Sequence, residues 1–357
     1  METPSILSDQ KFPVKARFSW RKAINLLLIV SLGLNVYFLT SPNPGMEPAE
    51  VLGKQVTLAS APGEPVPAQL LEVKQVSLVS PEHFGGQEVH ALHFKVRRSL
   101  NHSVCRIMTR KEGCDLMSAY MGRLLVWFLD INKDMRNGDT MAVVYLRAGE
   151  PERFKILKLV YKSGQFRKTF EANFFKDSSW KYGSWFDSEG KEIIPRIAVN
   201  QSPIKDYTEI TSLPGDFRRG ARGHAGTDFK AEVGTLVYAP FEGRVLRKNW
   251  NVRANGYCIE LDHPGQGIKT RYLHLSRTHV KKGQYVKQGE KIGESGNTGK
   301  TFAPHLHYEI LSRGKKKTIY NPFDFKYHKT YQRTVPSQGR QLYQQTVRLY
   351  DSVLQES

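Results

Sequence analysis

A chain of 357 residues can bury more than one hydrophobic core, and the length suggests about two domains. Its formal net charge of +19 attracts anions, whether nucleic acid, anionic lipid or an acidic polymer. No zinc-knuckle, RNP-type or helix-turn-helix pattern accompanies that charge, so no nucleic-acid partner is expected.

Residues 1–22 carry Lys11, Lys15, Arg17, Arg21 and Lys22. Residues 23–40, from Ala23 to Thr40, form an apolar run just long enough for a membrane helix, interrupted by Asn25, Ser31 and Asn35. The basic flank places residues 1–22 in the cytoplasm and everything after the anchor outside, as a single-pass membrane protein. A cleaved signal peptide competes with this reading, but Phe38-Leu39-Thr40-Ser41 lacks the small pair that cleavage requires. Residues 41–69 hold Pro42, Pro44, Pro48, Pro62, Pro65 and Pro67 and read as a stiff, solvated linker.

Residues 70–195 read as a separate α+β module. Strands are predicted over 71–79 and 88–97, and a helix over 113–130 from the spacing of Met117, Tyr120, Met121, Leu124, Leu125 and Phe128. Asn137-Gly138 marks a turn before a strand at 141–146, and further strands are expected near 154–161, 166–173 and 180–186. In an oxidising compartment Cys105 and Cys114 either pair or remain as two buried thiols; Cys258 sits in a strand pattern and reads as a small core residue.

Residues 196–330 change character. Short β-branched runs alternate with glycine-containing turns, as in a compact all-β domain. Candidate strands are 235–238, 243–246, 257–261, 269–273 and 307–311. Val-Lys-x-Gly occurs twice within 280–289, each glycine suited to a turn with positive φ. Residues 331–357 form a tail with a helix over 338–355, expected to pack on the β-domain or to contact a partner.

The chemistry gathers in this region. His305 and His307 alternate across Leu306, so in a strand both imidazoles face one side. His224 and Asp228, four apart, converge whether the segment is helix or strand. Two histidines and one aspartate plus water make the pattern of a catalytic zinc, whereas a structural site closes with a fourth protein ligand. Bound zinc lowers the pKa of water from about 15.7 to about 7. His274 and the remaining member of the 305/307 pair are left to act as general acid and base. His263 and His279 sit in turn-like sequence and read as surface residues, and His328 carries no signal. Glu309 shares the face of His305 and His307, either holding a histidine or forming a salt bridge.

Five segments in order, Gly223-His224-Ala225-Gly226-Thr227-Asp228-Phe229, Gly234-Thr235-Leu236-Val237-Tyr238-Ala239-Pro240, Tyr272-Leu273-His274-Leu275-Ser276, Gly296-Asn297-Thr298-Gly299 and Pro304-His305-Leu306-His307-Tyr308-Glu309, resemble the signature of the M23 (LytM or lysostaphin-type) zinc metallopeptidases. The likeness covers about residues 205–325. It implies a mainly β chain: a barrel-sandwich-like, LytM-type peptidase domain at 196–330, after the smaller α+β module and one N-terminal transmembrane helix. It implies that His224, Asp228 and His307 bind one Zn2+ per chain and that His274 and His305 are the catalytic pair. The implied function is a membrane-anchored zinc metalloendopeptidase that hydrolyses peptide cross-links of peptidoglycan by a zinc-activated water. In anchored relatives the upstream region can occlude or regulate the groove. Leu236 and Phe302-Ala303 depart from the family pattern, the latter at one wall of the groove. A non-catalytic regulator on the same fold, activating another cell-wall hydrolase, is the alternative; degenerate relatives of that kind lack the zinc ligands. A carrier or phosphotransfer domain needs one modified lysine or histidine and has no use for Asp228. Neither the cross-link cut nor a wall-synthesis or division partner is legible.

Overall fold

The computed structural model describes residues 84, 87–148, 153–216, 223–314 and 317–357. The anchor expected at 23–40, the linker at 41–69 and the strand at 71–79 lie outside the described residues. Among the described residues no helix is long and apolar enough to cross a membrane.

The first part is a five-stranded antiparallel sheet, β1 (Val89–Lys95), β2 (Thr140–Ala148), β3 (Arg153–Ser163), β4 (Lys168–Phe175) and β5 (Ser184–Phe186), paired in that order. Between β1 and β2 the chain folds α1 (Leu100–Ile107), α2 (Cys114–Leu125) and a short α3 (Ile131–Asp134). Sequence reading missed α1, which is short, is capped by Ser99 and buries only Leu100, Ser103 and Val104. The buried face of α2 is Cys114, Met117, Ser118, Met121, Leu124 and Leu125. It ends five residues before the predicted boundary at 130. Trp127 and Phe128 donate to Leu124 and Leu125 in i→i−3 turns, and Asp130 caps α3 by accepting from the Asn132 N–H at 3.1 Å. That break swings Trp127 off the helix face to meet Phe323 edge-on, with ring centroids 5.2 Å apart.

Cys105 and Cys114 are disulfide-bonded, tying α1 to the start of α2. Replacing both with serine is expected to cost about 2–4 kcal/mol, read as a lower urea midpoint at unchanged slope. An unchanged midpoint would mean that the bond adds nothing to the stability of the fold.

The second part is built of short strands: β6 (Arg196–Ile197), β7 (Glu209–Ser212), β8 (Thr227–Lys230), β9 (Leu236–Tyr238), β10 (Gly243–Lys248), β11 (Tyr257–His263), β12 (Ile268–Leu275), β13 (Arg277–Thr278), β14 (Tyr285–Val286), β15 (Lys291–Glu294), β16 (His305–Ser312), β17 (Ile319–Tyr320) and β18 (Thr330–Tyr331), with a single turn of helix, α4 (Val252–Asn255), before β11. The main sheet runs β14-β10-β11-β12-β16-β8-β7, with β17 on β16; β13, β15 and β9 form a smaller sheet. The chain is thus mostly β, and the five strands predicted in this region are present with slightly longer or shifted ends. Gly283 and Gly289 of the Val-Lys-x-Gly echo both have positive φ, 83° and 77°.

The last element, α5 (Arg340–Gln355), does not pack where it was expected. It returns to the outer face of the first sheet. Tyr350 and Val353 join Val89, Ala91, Val144, Leu146 and Leu157 in one apolar cluster, and the Tyr350 hydroxyl donates to the Phe174 carbonyl at 3.0 Å. Lys158, buried in that face, reaches Asp351 of the helix at 2.6 Å and Glu171 at 3.5 Å. The apolar stripe told the sequence reader that this helix buries one side; a stripe carries no information about which surface receives it.

Candidate metal and catalytic site

Strand pairing builds the site. Asp228 on β8 and His307 on β16 are direct cross-strand partners, so both side chains leave the sheet on the same face. His305, two residues earlier on β16, shares that face. His224 precedes β8. Gly226, between His224 and Asp228, has to be glycine: a Cβ there would sit 2.8 Å from His307 Nε2 and 2.6 Å from the Tyr308 carbonyl oxygen.

His274 arrives by a different device. On β12 Tyr272 pairs with Tyr308 on the core face, and Leu273 pairs with His307 on the site face. Regular alternation would turn His274 back into the core. Its backbone instead takes a left-handed conformation, φ 63°, where β12 breaks register with β11. The ring therefore lies over the site, 4.9 Å from the His305 ring and 6.0 Å from that of His307, centroid to centroid. A non-glycine residue in this region costs of order 1–3 kcal/mol, held here by the surrounding sheet.

The structure brings all five expected residues together. Nε2 of His224, Oδ1 of Asp228 and Nδ1 of His307 lie 3.2, 3.1 and 2.7 Å from one another. Two ligands about 2.1 Å from a tetrahedral zinc stand about 3.4 Å apart, so this donor triangle is gathered to nearly the right size. His305 Nε2 lies 3.6 Å from Asp228 Oδ1, just outside the triangle.

The opposite nitrogen of each imidazole is occupied. His224 Nδ1 donates to the Leu213 carbonyl at 3.2 Å and lies 2.9 Å from Ser212 Oγ, which itself donates to Asp216. His274 Nδ1 donates to the Thr298 carbonyl at 2.9 Å, and His305 Nδ1 to the Ala303 carbonyl at 2.7 Å. A carbonyl can only accept, so these N–H bonds leave each Nε2 facing the centre. His307 is reversed: its Nε2 donates to Glu309 at 3.2 Å and its Nδ1 faces inward. Glu309 also accepts from Arg271 at 3.1 Å, so both sequence readings of this residue hold together. Ser212, Asp216, Thr298 and the Ala303 carbonyl were missed; only the Gly-Asn-Thr-Gly motif hinted that residue 298 mattered.

The electrostatics follow from these contacts. Burial alone would raise the Asp228 carboxyl, but the adjoining His224 and His307 imidazoles hold it well below the usual carboxylate range. Burial alone would lower the His307 imidazole, but the carboxylates of Asp228 and Glu309 push it up to about 9. Burial lowers His274 to about 4, and the neighbouring His305 and His307 add to the drop.

The site opens into a cavity of about 1670 Å³. Tyr120, Arg123 and Trp127 of the α2 region line one wall, and Glu209, Lys300 and the fully exposed Phe302 line others. Arg218, Arg219 and Arg222, just before His224 in the chain, lie outside the described residues, as do Lys315 and Lys316. His263 and His328 are not surface or featureless residues. His263 is fully enclosed between the Glu242 carbonyl and Thr270 Oγ1, both at 2.8 Å, and His328 is buried against Phe241.

The peptidase family M23 model matches residues 222–321. The peptidoglycan DD-endopeptidase ShyA of Vibrio cholerae is 32% identical over 192 residues, 52% of this chain and 43% of that protein. ShyC of the same organism is 31% identical over 205 residues, 55% of this chain and 45% of that protein. The chain thus spans under half the length of these two curated relatives. Among solved structures, Helicobacter pylori Csd3 in its orthorhombic crystal aligns with 76% of this chain and 70% of its own, at 23% identity and a TM-score of 0.37. Residues 222–321 of this chain are a peptidase family M23 domain, homologous to the LytM and lysostaphin-type endopeptidases.

Proposed function

We propose that this chain is a zinc metalloendopeptidase that hydrolyses peptide cross-links of peptidoglycan. One observation carries the reading. Three donors from His224, Asp228 and His307 meet on one face, and His274 and His305 point their remaining nitrogens into the same cavity. Two imidazoles, each held from behind, and one carboxylate suit zinc with one side left open to substrate. Zinc bound there would act as a Lewis acid toward the scissile carbonyl and lower the pKa of water. His274 and His305, with Nδ1 already donating to carbonyls, each offer Nε2 to take a proton from the nucleophilic water or to pass one to the departing amine. The depressed pKa of His274 keeps its ring neutral at physiological pH, as a proton acceptor requires. Homology to named peptidoglycan endopeptidases supports the substrate. The apolar run at 23–40, with its basic flank, supports a membrane tether that holds the peptidase domain outside the cytoplasm.

The test is digestion of defined cross-linked muropeptides by the purified full chain, with products weighed by mass spectrometry. New products of hydrolysed amide bonds, lost with a chelator and restored by zinc, are expected. Intact muropeptides with zinc-loaded protein would sink the reading.

A pH dependence follows. Below about 9 the His307 ring carries the proton that zinc must displace. Zinc affinity of chelator-treated protein is therefore expected to rise at least tenfold per pH unit between about pH 7 and 9. Calorimetry in two buffers of different ionisation enthalpy should show more than one proton released per zinc at about pH 7.5, one from His307 and part of one from bound water. Binding without proton release would contradict the charge assigned to His307.

A further inference from the structure

His307 differs from the other three imidazoles of the site. Its outer nitrogen is held by a carboxylate, whereas theirs meet neutral oxygens. The carboxylate is itself held. Arg271 lies directly across from Glu309 on β12, Glu260 across from Arg271 on β11, and Arg247 across from Glu260 on β10. One row therefore crosses four strands with alternating charge. Arg271 Nη1 donates to Glu309 at 3.1 Å and Arg271 Nε to Glu260 at 2.5 Å. Arg247 donates to both Glu260 oxygens, at 3.1 and 3.0 Å, and its guanidinium covers the Trp250 ring at 4.2 Å. Glu260 and Glu309 are both buried, 4% and 6% exposed, a costly placement for two carboxylates that each charged neighbour offsets.

We propose that Glu309 is a positioning residue, held by the Arg271–Glu260–Arg247 row, that fixes the ring plane and the Nε2–H tautomer of His307 and so presents Nδ1 to Asp228 and His224. Without an acceptor behind Nε2 the neutral ring favours its proton on Nδ1, where Asp228 Oδ1 accepts at 2.7 Å. The inward donor is then present for only part of the time. The row also explains why the anchor is a carboxylate: one Glu309 oxygen accepts from His307 Nε2 while the other accepts from Arg271 Nη1, and an amide has only one oxygen to serve both.

This inference rests on the metal reading of the site for its binding readout, but its tautomer readout is independent of metal. The test uses the full chain with nitrogen-15 histidine. Proton–nitrogen correlation spectra are recorded at alkaline pH after chelation, where the ring is neutral, and the His307 signal is assigned by its loss in His307→Gln. Wild-type protein is expected to show a share of His307 as the Nε2–H tautomer, set by Glu309 against Asp228. Glu309→Gln, whose amide can accept or donate, is expected to lower that share and to weaken zinc binding about 10–100-fold in a chelator competition. Glu309→Leu offers no acceptor and should change both readouts at least as much. An unchanged Nε2–H share with unchanged zinc affinity in Glu309→Gln, or a smaller change in Glu309→Leu than in Glu309→Gln, overturns the proposal. A wild-type protein that binds no zinc would defeat the proposed function and still leave the spectra to decide the role of Glu309.

Discussion

His305→Ala is expected to lower the rate of cross-link cleavage by about 10²–10⁴-fold and to leave one zinc per chain. The separation of effects follows from position. His305 shares the strand and the face of His307, yet its Nε2 stands 3.6 Å from Asp228 Oδ1, outside the triangle of donors. Its ring is held by the Ala303 carbonyl, a contact the metal ligands do not share. Removing it deletes a proton carrier and leaves the three donors in place. His307→Ala should behave differently and lose zinc together with activity, since it deletes a donor and orphans Glu309. With His274 and His305 serving one reaction, as proposed, the double alanine variant should fall little below the worse single variant. Metal analysis beside kinetics on the same preparation checks all three. Zinc lost from His305→Ala, or full turnover in it, would reverse the roles assigned to the pair.

Tyr350→Ala is expected to cost about 3–5 kcal/mol of stability, as large truncations of buried aromatic residues do. The ring is 5% exposed, closes the cluster over Val89, Val144 and Leu157, and anchors α5 through the Phe174 carbonyl. Loosening α5 also withdraws Asp351 from Lys158, whose side chain is 2% exposed and retains only a longer contact to Glu171. Urea unfolding of full-length protein, followed by tryptophan fluorescence, measures the loss. A cost near that of a surface substitution would mean that α5 is held elsewhere.

How far the residues announced this site depends on what kind of geometry each one uses. His305 and His307 were legible because a strand alternates with period two, and Asp228 with His224 because a spacing of four converges in helix and strand alike. His274 was legible as a histidine left over once the ligands were counted, and as one of the catalytic pair through family resemblance. Its orientation depends on a left-handed φ that breaks the alternation, and no local sequence rule places histidine there. Glu309 was visible as a neighbour on the same face, but its partners Arg271, Glu260 and Arg247 come from three other strands. Register between strands is a tertiary fact, so the charged row had no one-dimensional trace. The same limit explains α5, whose stripe was read and whose receiving surface was not. The overlong helix at 113–130 failed for a local reason: Phe128 keeps helical spacing while the backbone has already turned out of the helix.

The two short strands β6 and β18 carry the chain into and out of the M23 region, and they lie against each other, Ile197 beside Thr330 and Arg196 beside Tyr331. Glu192, fully buried, clamps the pair by bonding Arg196 on one side and Arg333 on the other. The two parts also share one apolar cluster, which runs from Met117 and Leu159 to Phe229 and Phe325. A protease cut at either crossing would therefore leave the other strand and that cluster to hold the two parts together.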